Sequence, residues 1–403
     1  MDKNAIKKKA QELLPEIAEI RHHLHKNPEV SWAEIETSKF IKSRLEGLGL
    51  TGIRYGFAGQ ATGVAADLVT DPAAPMVALR ADIDALALTE ENPELEYRSC
   101  RDGAMHACGH DGHIAALLGA ASILTALKDE LPGNVRFLFQ PAEEIGARSG
   151  AKAMIAEGVL EGVGAIGGLH LWSFVETGKV QWRNGPIMAS ADGWNLTFTG
   201  KGGHGAMPHN TIDPTVAAAD FIGAVQTIVS REIDPAETAV VSLGQLNAGS
   251  AFNIIPETVK LIGNIRTFNP AVRAGMEGRL RRIADGIAAA YRCRADLGID
   301  PMYSPLINHE GPTELLKECA VELFGPEMVE ESPRYMVSED YSFYLEKVPG
   351  TFCFIGCGNR AKNTDHPHHS PKFNVDDKAL VTAMPLLSLY AVETLKKLRS
   401  GGF

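Results

Sequence analysis

The chain has 403 residues, more than one hydrophobic core normally organises, so two domains are the default expectation. Its composition, with 45% hydrophobic and 22% charged residues, excludes intrinsic disorder and fibrous repeats. Lys and Arg number 39 against 50 Asp and Glu, and the resulting net charge of −11 argues against nucleic acid as a partner.

The same composition predicts a soluble, cytoplasmic protein. No uncharged apolar stretch approaches the length that spans a bilayer, so no membrane partner is expected. The basic start of the chain runs into Glu12, Pro15 and Glu16 instead of an apolar signal core. The six cysteines are too sparse for a disulfide framework, which indicates free thiols in a reducing compartment.

Helical and strand patterns alternate through the first 185 residues. Apolar residues at helical spacing predict an amphipathic first helix, which Asn27-Pro28 ends. Short apolar runs at 63–69, 76–79, 135–139 and 165–169 predict strands, and helical stretches at 114–127 and 151–157 lie between them. Such alternation predicts an α/β domain with a mainly parallel sheet and helices on both faces.

The order of elements changes between residues 186 and 302. Strands are predicted at 194–199, 239–246, 258–267 and 294–299, with helices at 215–230 and 271–291. This βαββαβ order is typical of a ferredoxin-like α+β domain. The α/β pattern then resumes with a helix from Thr313, a strand at 351–356 and a helix at 376–399. We therefore expect one α/β domain, formed by 1–185 and 303–403, with 186–302 inserted into it.

Eleven of the thirteen histidines fall in four short segments, a clustering that packing explains poorly. They are His22, His23, His25, His106, His110, His113, His204, His209, His366, His368 and His369. Four such groups brought together by the fold would form a metal or proton-transfer site. In the segment 105–113, Cys108 and His110 flank a glycine and can face one cation such as Zn²⁺, although packing or capping would also explain an isolated Cys-x-His.

Carboxylates follow two of the predicted strands. Glu143 and Glu144 lie just beyond the carboxyl end of the strand at 135–139. In open α/β sheets, ligands bind at the carboxyl ends of the strands. One carboxylate can bind a cation while the other acts on a water, although the first turn of a helix also favours acids. Asp82 and Asp84 project to the same side of another strand end and could orient a ligand histidine.

Two further segments offer imidazoles to the same site. His170 directly follows the strand at 165–169, although a single histidine there could be purely structural. The Pro-bounded loop at 365–373 carries His366, His368 and His369, and at least one of these rings is placed to close the site from the far side.

Together these segments resemble the di-metal amidohydrolases of the aminoacylase and carboxypeptidase-G peptidase family. The resemblance is to the branch that contains auxin-conjugate amidohydrolases, hippurate hydrolases and N-acyl amino acid amidohydrolases. It covers nearly the whole chain and runs through the motifs at 21–29, 80–86, 105–113, 140–144, 168–172, 201–208, 253–256, 265–268, 338–340 and 369–371.

The resemblance implies roles for individual residues of a binuclear metal site. Two divalent ions, Zn, Mn or Co, would be held by Cys108, His110, Glu144, His170 and His369, with Cys108 in the place of a bridging carboxylate. Glu143 would be the general acid/base, and Asp82 and Asp84 would orient the ligands. His368 competes with His369 for the ligand role, and the Ser-Pro that follows favours His369.

The resemblance also implies roles outside the α/β domain. His204 would reach the active site of a partner subunit, which implies a homodimer joined through 186–302, a dimerisation and lid domain. Asn253 and Arg266 match positions near the substrate carboxylate. From the residues alone, Arg266 could instead pair with a local acid such as Glu257.

The expected activity is metal-dependent hydrolysis of the amide bond of N-acyl amino acids, with N-acetyl or aroyl groups. Within the same chemistry, the alternative is a dipeptidase or carboxypeptidase. From another class, the alternative is a non-catalytic metal- or ligand-binding dimer that has kept the fold. That alternative predicts loss of Glu143 or of a ligand, and the sequence retains them all.

Overall fold

The computed structural model describes residues 3–403. Its helices are α1 (Lys3–Lys26), α2 (Ile35–Gly47), α3 (His110–Ala126), α4 (Gly150–Ala156), α5 (Pro214–Ala224), α6 (Pro270–Ala274), α7 (Met276–Tyr291), α8 (Glu310–Phe324), α9 (Ser342–Leu345) and α10 (Leu380–Arg399). Its strands are β1 (Thr51–Tyr55), β2 (Val64–Leu68), β3 (Met76–Asp82), β4 (Asn134–Gln140), β5 (Val163–Glu176), β6 (Val180–Trp182), β7 (Gly185–Met188), β8 (Ala191–Thr199), β9 (Gly203–His204), β10 (Ala239–Ala248), β11 (Ile254–Ile255), β12 (Thr258–Thr267), β13 (Arg294–Tyr303), β14 (Leu306–Asn308), β15 (Val329–Glu331) and β16 (Gly350–Gly358).

The chain folds into two units, each made of discontinuous segments. The first unit contains the residues up to Gly185 together with Ile307–Pro333 and Asp340–Phe403. The second unit contains Pro186–Leu306 and also Arg334–Glu339, six residues that the sequence analysis assigns to the last part of the α/β domain.

The first unit is built on a mixed sheet, which corrects one detail of the predicted α/β fold. Within residues 3–403 the sheet has eight strands in the order β1-β2-β4-β3-β5-β16-β6-β15. The central strands β4, β3, β5 and β16 are parallel, as predicted. The pair β6-β15 is parallel as well, whereas β1-β2, β2-β4 and β16-β6 are antiparallel, so the sheet is mainly parallel but mixed. A short connection such as that between β1 and β2 permits only antiparallel pairing.

Helical segments cover both faces of this sheet, as predicted. Successive side chains of a strand point to opposite faces. On β5, a Cβ added to Gly167 would lie 2.5 Å from Tyr390 of α10, whereas one added to Gly168 would lie 2.6 Å from Tyr341, just before α9. Helix α10 and the 341–345 segment therefore pack on opposite faces.

Helix α3 lies in the core between α1 and α10, and this packing fixes the start of α3. Nearly every residue of α3 is buried, as expected for a helix that is apolar all round. At Gly119 an added Cβ would lie 2.2 Å from the Met384 sulfur of α10, so the two helices approach closely. The first residue of α3, His110, is thereby held next to the end of β3.

The last helical segment is long and apolar. By length and composition, Asp377–Arg399 could cross a membrane, with a mean hydropathy of 1.2, although it is interrupted by charged residues such as Glu393. In the structure, 83% of its apolar window is buried inside the protein. Its apolar composition is that of a helix at the centre of a protein core.

The second unit has a four-stranded antiparallel sheet, with strand order β10-β12-β8-β13 among the described residues. The chain order is β8, α5, β10, β12, α7, β13, which is a βαββαβ sequence. Two predicted helices are shorter than expected. The helix predicted at 215–230 has its α-helical part at Pro214–Ala224, and that at 271–291 divides into α6 and α7 at Gly275, a residue with poor helix propensity.

Candidate metal centre

Cys108, His110 and His170 form a buried group of metal-ligating atoms in the first unit. Their donor atoms lie within 4.8 Å of one another, and Cys108 Sγ is 3.4 Å from His170 Nε2. Gly109 makes this possible, because its φ of 93° reverses the chain between Cys108 and His110 at a position where other residues would be strained. The loop before α3 and the strand β5 thus deliver three soft or borderline donors to one place.

The hydrogen bonds of both imidazoles leave a lone pair for a cation. His110 Nδ1 lies 2.9 Å from the Asp84 carbonyl oxygen, and His170 Nδ1 lies 2.7 Å from the Leu171 carbonyl oxygen. A carbonyl only accepts, so each Nδ1 carries a hydrogen, and in the neutral form of each ring Nε2 carries a lone pair. His110 Nε2 is buried and has no hydrogen-bond partner among the described residues. Metal-bound histidines in proteins are oriented in this way.

A second donor group combines Cys108 with Glu144 and His369, and its members too lie within 4.8 Å of one another. His369 Nε2 is 3.2 Å from Glu144 Oε1. His369 has a φ of 62°, a strained conformation for a residue with a side chain, and its N–H donates to the Ala107 carbonyl over 2.8 Å. That backbone bond joins the late loop to the loop that carries Cys108.

The neighbouring His368 is engaged elsewhere. Its Nε2 accepts a hydrogen bond from the Ser173 N–H over 3.2 Å, and its ring stacks on Trp172 with centroids 4.5 Å apart. Of these two adjacent histidines, His369 is the one that the structure brings to Cys108 and Glu144.

Glu143 and Glu144 are adjacent in sequence but differ in their surroundings. The side chain of Glu143 is buried, lies within 4.8 Å of His110 and Glu144 donor atoms, and accepts the Asp340 N–H at 3.4 Å through Oε1. Glu144 faces Cys108 and His369. The two carboxylates are therefore placed for different tasks at one site.

Asp82 is held by two hydrogen bonds behind these donors. It accepts hydrogen bonds from Arg80 Nη1 at 2.8 Å and from His113 Nδ1 at 2.6 Å. His113 Nε2 in turn accepts the Leu171 N–H over 2.8 Å, so both nitrogens of this ring are used. His113 therefore orients Asp82 and β5 and has no lone pair left for a metal.

Asp84 connects the site to the early part of the chain. Its carbonyl orients His110, and its carboxylate accepts the Ser31 hydroxyl at 2.6 Å and the Glu144 N–H at 3.0 Å. Both carboxylates therefore lie next to the donor atoms, and Asp82 forms a further group with His110 and His113, whose donor atoms lie within 4.8 Å of one another.

The electrostatics of the group suit a cation. Burial, together with the nearby Glu144 and Glu143 carboxylates, raises the pKa of the Cys108 thiol well above its usual range. Burial lowers the pKa of His110, but Asp82 and Asp84 outweigh that effect and raise it to about 10. The thiolate form of Cys108 and the neutral form of His110 would both be stabilised by a nearby positive charge. Sulfur, imidazole and carboxylate donors fit a divalent ion such as Zn²⁺.

The remaining histidines of the first unit do not join the donor groups. His25 is buried between Asp111 Oδ2, at 2.9 Å, and Glu90 Oε1, at 3.3 Å. Burial lowers its pKa, but the bonds to Asp111 and Glu90 outweigh this and raise it. His22 stacks on Tyr97 with ring centroids 3.8 Å apart. The idea that all four histidine segments meet at one site is therefore wrong for the first segment, which supports the fold.

The other predicted site residues lie in the second unit. His204 ends β9, pairs with Ile254 of β11, and accepts the Ala206 N–H through Nδ1 at 3.1 Å, which leaves Nε2 as an exposed N–H donor. The Asn253 carbonyl accepts the Gly205 N–H at 2.8 Å, so Asn253 lies next to His204 on the paired segments. Arg266, on β12, donates to the Ser338 hydroxyl at 3.0 Å, a contact that the sequence analysis, with its alternative of Glu257, does not predict.

A buried charge network missed by the sequence analysis supports Glu143. Arg80 donates to Gln140 Oε1 at 2.8 Å, to Asp82, and to Asp340 Oδ1 at 2.7 Å. Asp340 is the residue whose N–H reaches Glu143. One feature of the sequence indicates this network: Arg80 lies two residues before Asp82 in an otherwise apolar strand. A buried arginine needs paired acids.

Comparisons with known proteins agree with this geometry. The model of Peptidase family M20/M25/M40 matches residues 78–392. The chain is 41% identical over 379 residues to N-acetyl-L-cysteine deacetylase of Bacillus subtilis (strain 168), covering 94% of this chain and 87% of that protein. It is 38% identical over 385 residues to IAA-amino acid hydrolase ILR1-like 4 of Arabidopsis thaliana, covering 94% and 86%. The crystal structure of Bacillus subtilis YXEP, a dinuclear metal binding peptidase from the M20 family, is similar with a TM-score of 0.84 and 34% identity, over 96% of this chain and 99% of that one. The predicted family resemblance is confirmed.

Proposed function

Because the chain belongs to peptidase family M20/M25/M40, we propose that it hydrolyses the amide bond of N-acyl amino acids to a carboxylate and a free amino acid. The chain is a metal-dependent hydrolase. The observation that carries the proposal is the convergence of two donor groups that share Cys108, with the buried Glu143 carboxylate within 4.8 Å of His110 and Glu144.

Two divalent ions, Zn, Mn or Co, would be held by Cys108, His110, Glu144, His170 and His369. His110 Nε2, which is buried and makes no hydrogen bond to the described residues, supports this assignment, as does the spacing of the donor atoms, which lie within 4.8 Å of one another in each group. When bound, such ions acidify a water and polarise the amide carbonyl.

Glu143 is the proposed general base and acid. It is buried beside the donor atoms, and the backbone N–H of Asp340 fixes one of its oxygens. Glu143 takes the proton of the attacking water and then returns it to the nitrogen of the leaving amino acid. Gln140 and Arg80 fix Asp340 in turn, so the base is held by a rigid, charge-paired framework.

The second unit would supply substrate contacts. His204 presents an exposed Nε2–H, which is the donor needed to stabilise an oxyanion. Arg266 would bind the carboxylate of the amino acid through its guanidinium, and Asn253 lies next to His204 on the paired segments. In this assignment His204 acts in the active site of a partner subunit.

A homodimer through the second unit follows from that assignment, and the surface of the unit supports it. Among the described residues, β10 is an edge strand of the four-stranded sheet. Leu246 on β10 is 50% exposed, Ile262 on β12 is 42% exposed, and Phe252 in the loop after β10 is fully exposed. An exposed strand edge with apolar side chains is suited to pairing with a second copy of itself.

The cysteines support a reducing, cytoplasmic environment for the enzyme. All six lie within the described residues and all are free thiols. A thiol ligand at Cys108 would also be protected from oxidation there.

Substrate panels decide between the proposed activity and its alternative. The metal-stripped protein is assayed with N-acetyl and N-aroyl amino acids and with dipeptides after addition of Zn²⁺, Mn²⁺ or Co²⁺. We expect no activity without metal and a preference for N-acyl amino acids with it. A preference for dipeptides would instead establish a dipeptidase, and activity of verified metal-free protein would refute the metal mechanism.

A further inference from the structure

The loop at 141–150 carries Glu143 and Glu144, and we call it the carboxylate loop. A short stretch at 31–34, here the clamp segment, lies beside it. The clamp segment begins where Val30 bridges Ala85 in parallel and the Ala85 N–H donates to the Glu29 carbonyl at 2.8 Å. These contacts place the clamp segment at the end of β3, next to Asp84.

The clamp segment bonds the carboxylate loop near its start and its end, and reaches its middle through Asp84. Near the start, the buried Glu34 Oε1 accepts the Ala142 N–H at 2.8 Å. In the middle, the Ser31 hydroxyl bonds the Asp84 oxygen that also accepts the Glu144 N–H. Near the end, Trp32 Nε1 donates to the Arg148 carbonyl at 2.9 Å.

The backbone of both the clamp segment and the carboxylate loop is strained at these contacts. Trp32 has a φ of 63° and Ala142 a φ of 52°, both in the left-handed region that residues with side chains rarely adopt. Such conformations persist only where the surrounding contacts enforce them, and they cluster at functional sites. A hydrogen bond connects each strained residue to the facing segment: Trp32 donates to the Arg148 carbonyl, and the Ala142 N–H donates to Glu34.

We propose that the clamp segment positions the carboxylate loop, so that Glu144 stays with the metal donors and Glu143 stays beside them, where it transfers protons. Trp32 and Glu34 are then positioning residues for the amide hydrolysis proposed above, on which this inference rests. Each acts through the backbone of the loop and touches neither substrate nor metal.

Two substitutions remove one bond each, and matched variants serve as controls. Trp32→Phe keeps an aromatic ring but removes the Nε1 donor, whereas Trp182→Phe makes the same change on β6. Glu34→Ala removes the acceptor, and Glu34→Gln restores it.

For an N-acyl amino acid we expect kcat to fall about tenfold in Trp32→Phe and Glu34→Ala, the scale of one well-placed hydrogen bond, with KM within about twofold. Trp182→Phe should match wild type, and Glu34→Gln should recover most of the loss.

A double variant separates positioning from general destabilisation. The assay uses saturating metal, so that weaker metal binding does not contribute. In a Glu143→Gln background there is then no base left to position, so Trp32→Phe should cause no further loss of activity. Losses that multiply in full would overturn the proposal, because they would mean that Trp32 acts independently of Glu143. The melting temperature of each variant is measured alongside.

Binding of Co²⁺ alone provides a readout that does not depend on turnover. Metal-free protein is titrated with Co²⁺ and followed by its visible absorption. We expect about tenfold weaker binding in Trp32→Phe and Glu34→Ala, because Glu144 lies on the loop, and wild-type affinity in Trp182→Phe. If both variants keep wild-type kcat and Co²⁺ affinity, the clamp is refuted while the proposed function stands. If the wild type cleaves no N-acyl amino acid, the proposed function fails and the Co²⁺ titration still tests the clamp.

Discussion

At the scale of single residues, the roles proposed for Glu143 and Glu144 can be separated by removing one charge at a time. Glu143→Gln should keep the fold and both metals and lower kcat by about 10²- to 10⁴-fold, since proton transfer is lost. Glu144→Gln should instead lose metal. Metal analysis and kinetics on the two variants test this, and exchanged phenotypes would show that the two roles are reversed.

Arg266 should make the enzyme depend on a free carboxylate in the substrate. Loss of a charge-assisted hydrogen bond costs about 1.5 to 3 kcal/mol, so N-acyl amino acids should be cleaved about 10- to 150-fold faster than their amides. Arg266→Lys should erase most of this preference by slowing turnover of the acid alone, because Lys cannot form the paired bonds. Arg281→Lys, on the exposed side of α7, is the control. Equal rates with acid and amide in the wild type would remove Arg266 from the site.

Glu34 should make stability depend on pH. Burial and the nearby Asp84 raise the pKa of Glu34 from 4.5 to about 8. Between these values the folded protein holds a proton that the unfolded chain releases, so wild-type stability falls as pH rises through this window. The free energy of unfolding of Glu34→Gln, relative to wild type, should therefore rise by up to about 1.4 kcal/mol per pH unit. Urea unfolding at several pH values measures it. The exposed Glu36→Gln should show no such trend.

The residues that could be identified from sequence are those whose chemistry is concentrated along the chain. Cys108 and His110 are two residues apart, and Glu143 and Glu144 are adjacent, so local spacing was informative. The contact of Arg80 with Asp340 joins residues 260 positions apart, and no local pattern predicts it. His113 could be set aside as a ligand only after the structure showed the Leu171 N–H at its Nε2.

At the scale of elements, the close approach at Gly150 should be essential to the carboxylate loop. A Cβ added there would lie 1.8 Å from the Pro141 carbonyl oxygen, whereas one added to Gly223 in α5 meets nothing within 4 Å. Gly150→Ala should lower the free energy of unfolding by about 1 to 3 kcal/mol and reduce kcat, because the backbone of the loop must move. Gly223→Ala should raise stability by about 0.5 kcal/mol. Urea unfolding and steady-state kinetics on both variants test this, and an active, fully stable Gly150→Ala would contradict it.

The strands predicted correctly are those with a strong hydrophobic signal. The central strands β3, β4, β5 and β16 are almost wholly buried, so their sequences are continuous apolar runs. The edge strand β1 is half exposed, and β6 and β15 have three residues each, too few for a pattern. Two of the three antiparallel pairs, β1-β2 and β16-β6, involve one of these strands, and so weak a pattern does not predict the direction of pairing.

At the scale of the whole molecule, a homodimer with shared active sites predicts complementation between inactive subunits. Mixing His204→Ala with Glu143→Gln subunits should give heterodimers with one intact site, and about one quarter of wild-type activity after random exchange. Each variant alone, treated identically, is the control. No recovery after exchange, verified by native mass spectrometry, would show that His204 acts within its own chain or not at all.

The discontinuity of the first unit has a consequence for synthesis on the ribosome. Strand β16 lies between β5 and β6, so the central sheet stays incomplete until residues after 350 emerge. Between Gly185 and the end of β16, roughly 170 residues are translated, which takes about 9 to 35 s at usual elongation rates. During that interval the apolar edge of β5 has no partner strand, while the second unit can already close. We expect the nascent chain to depend on chaperones that shield this edge, and truncation before β16 to cause aggregation.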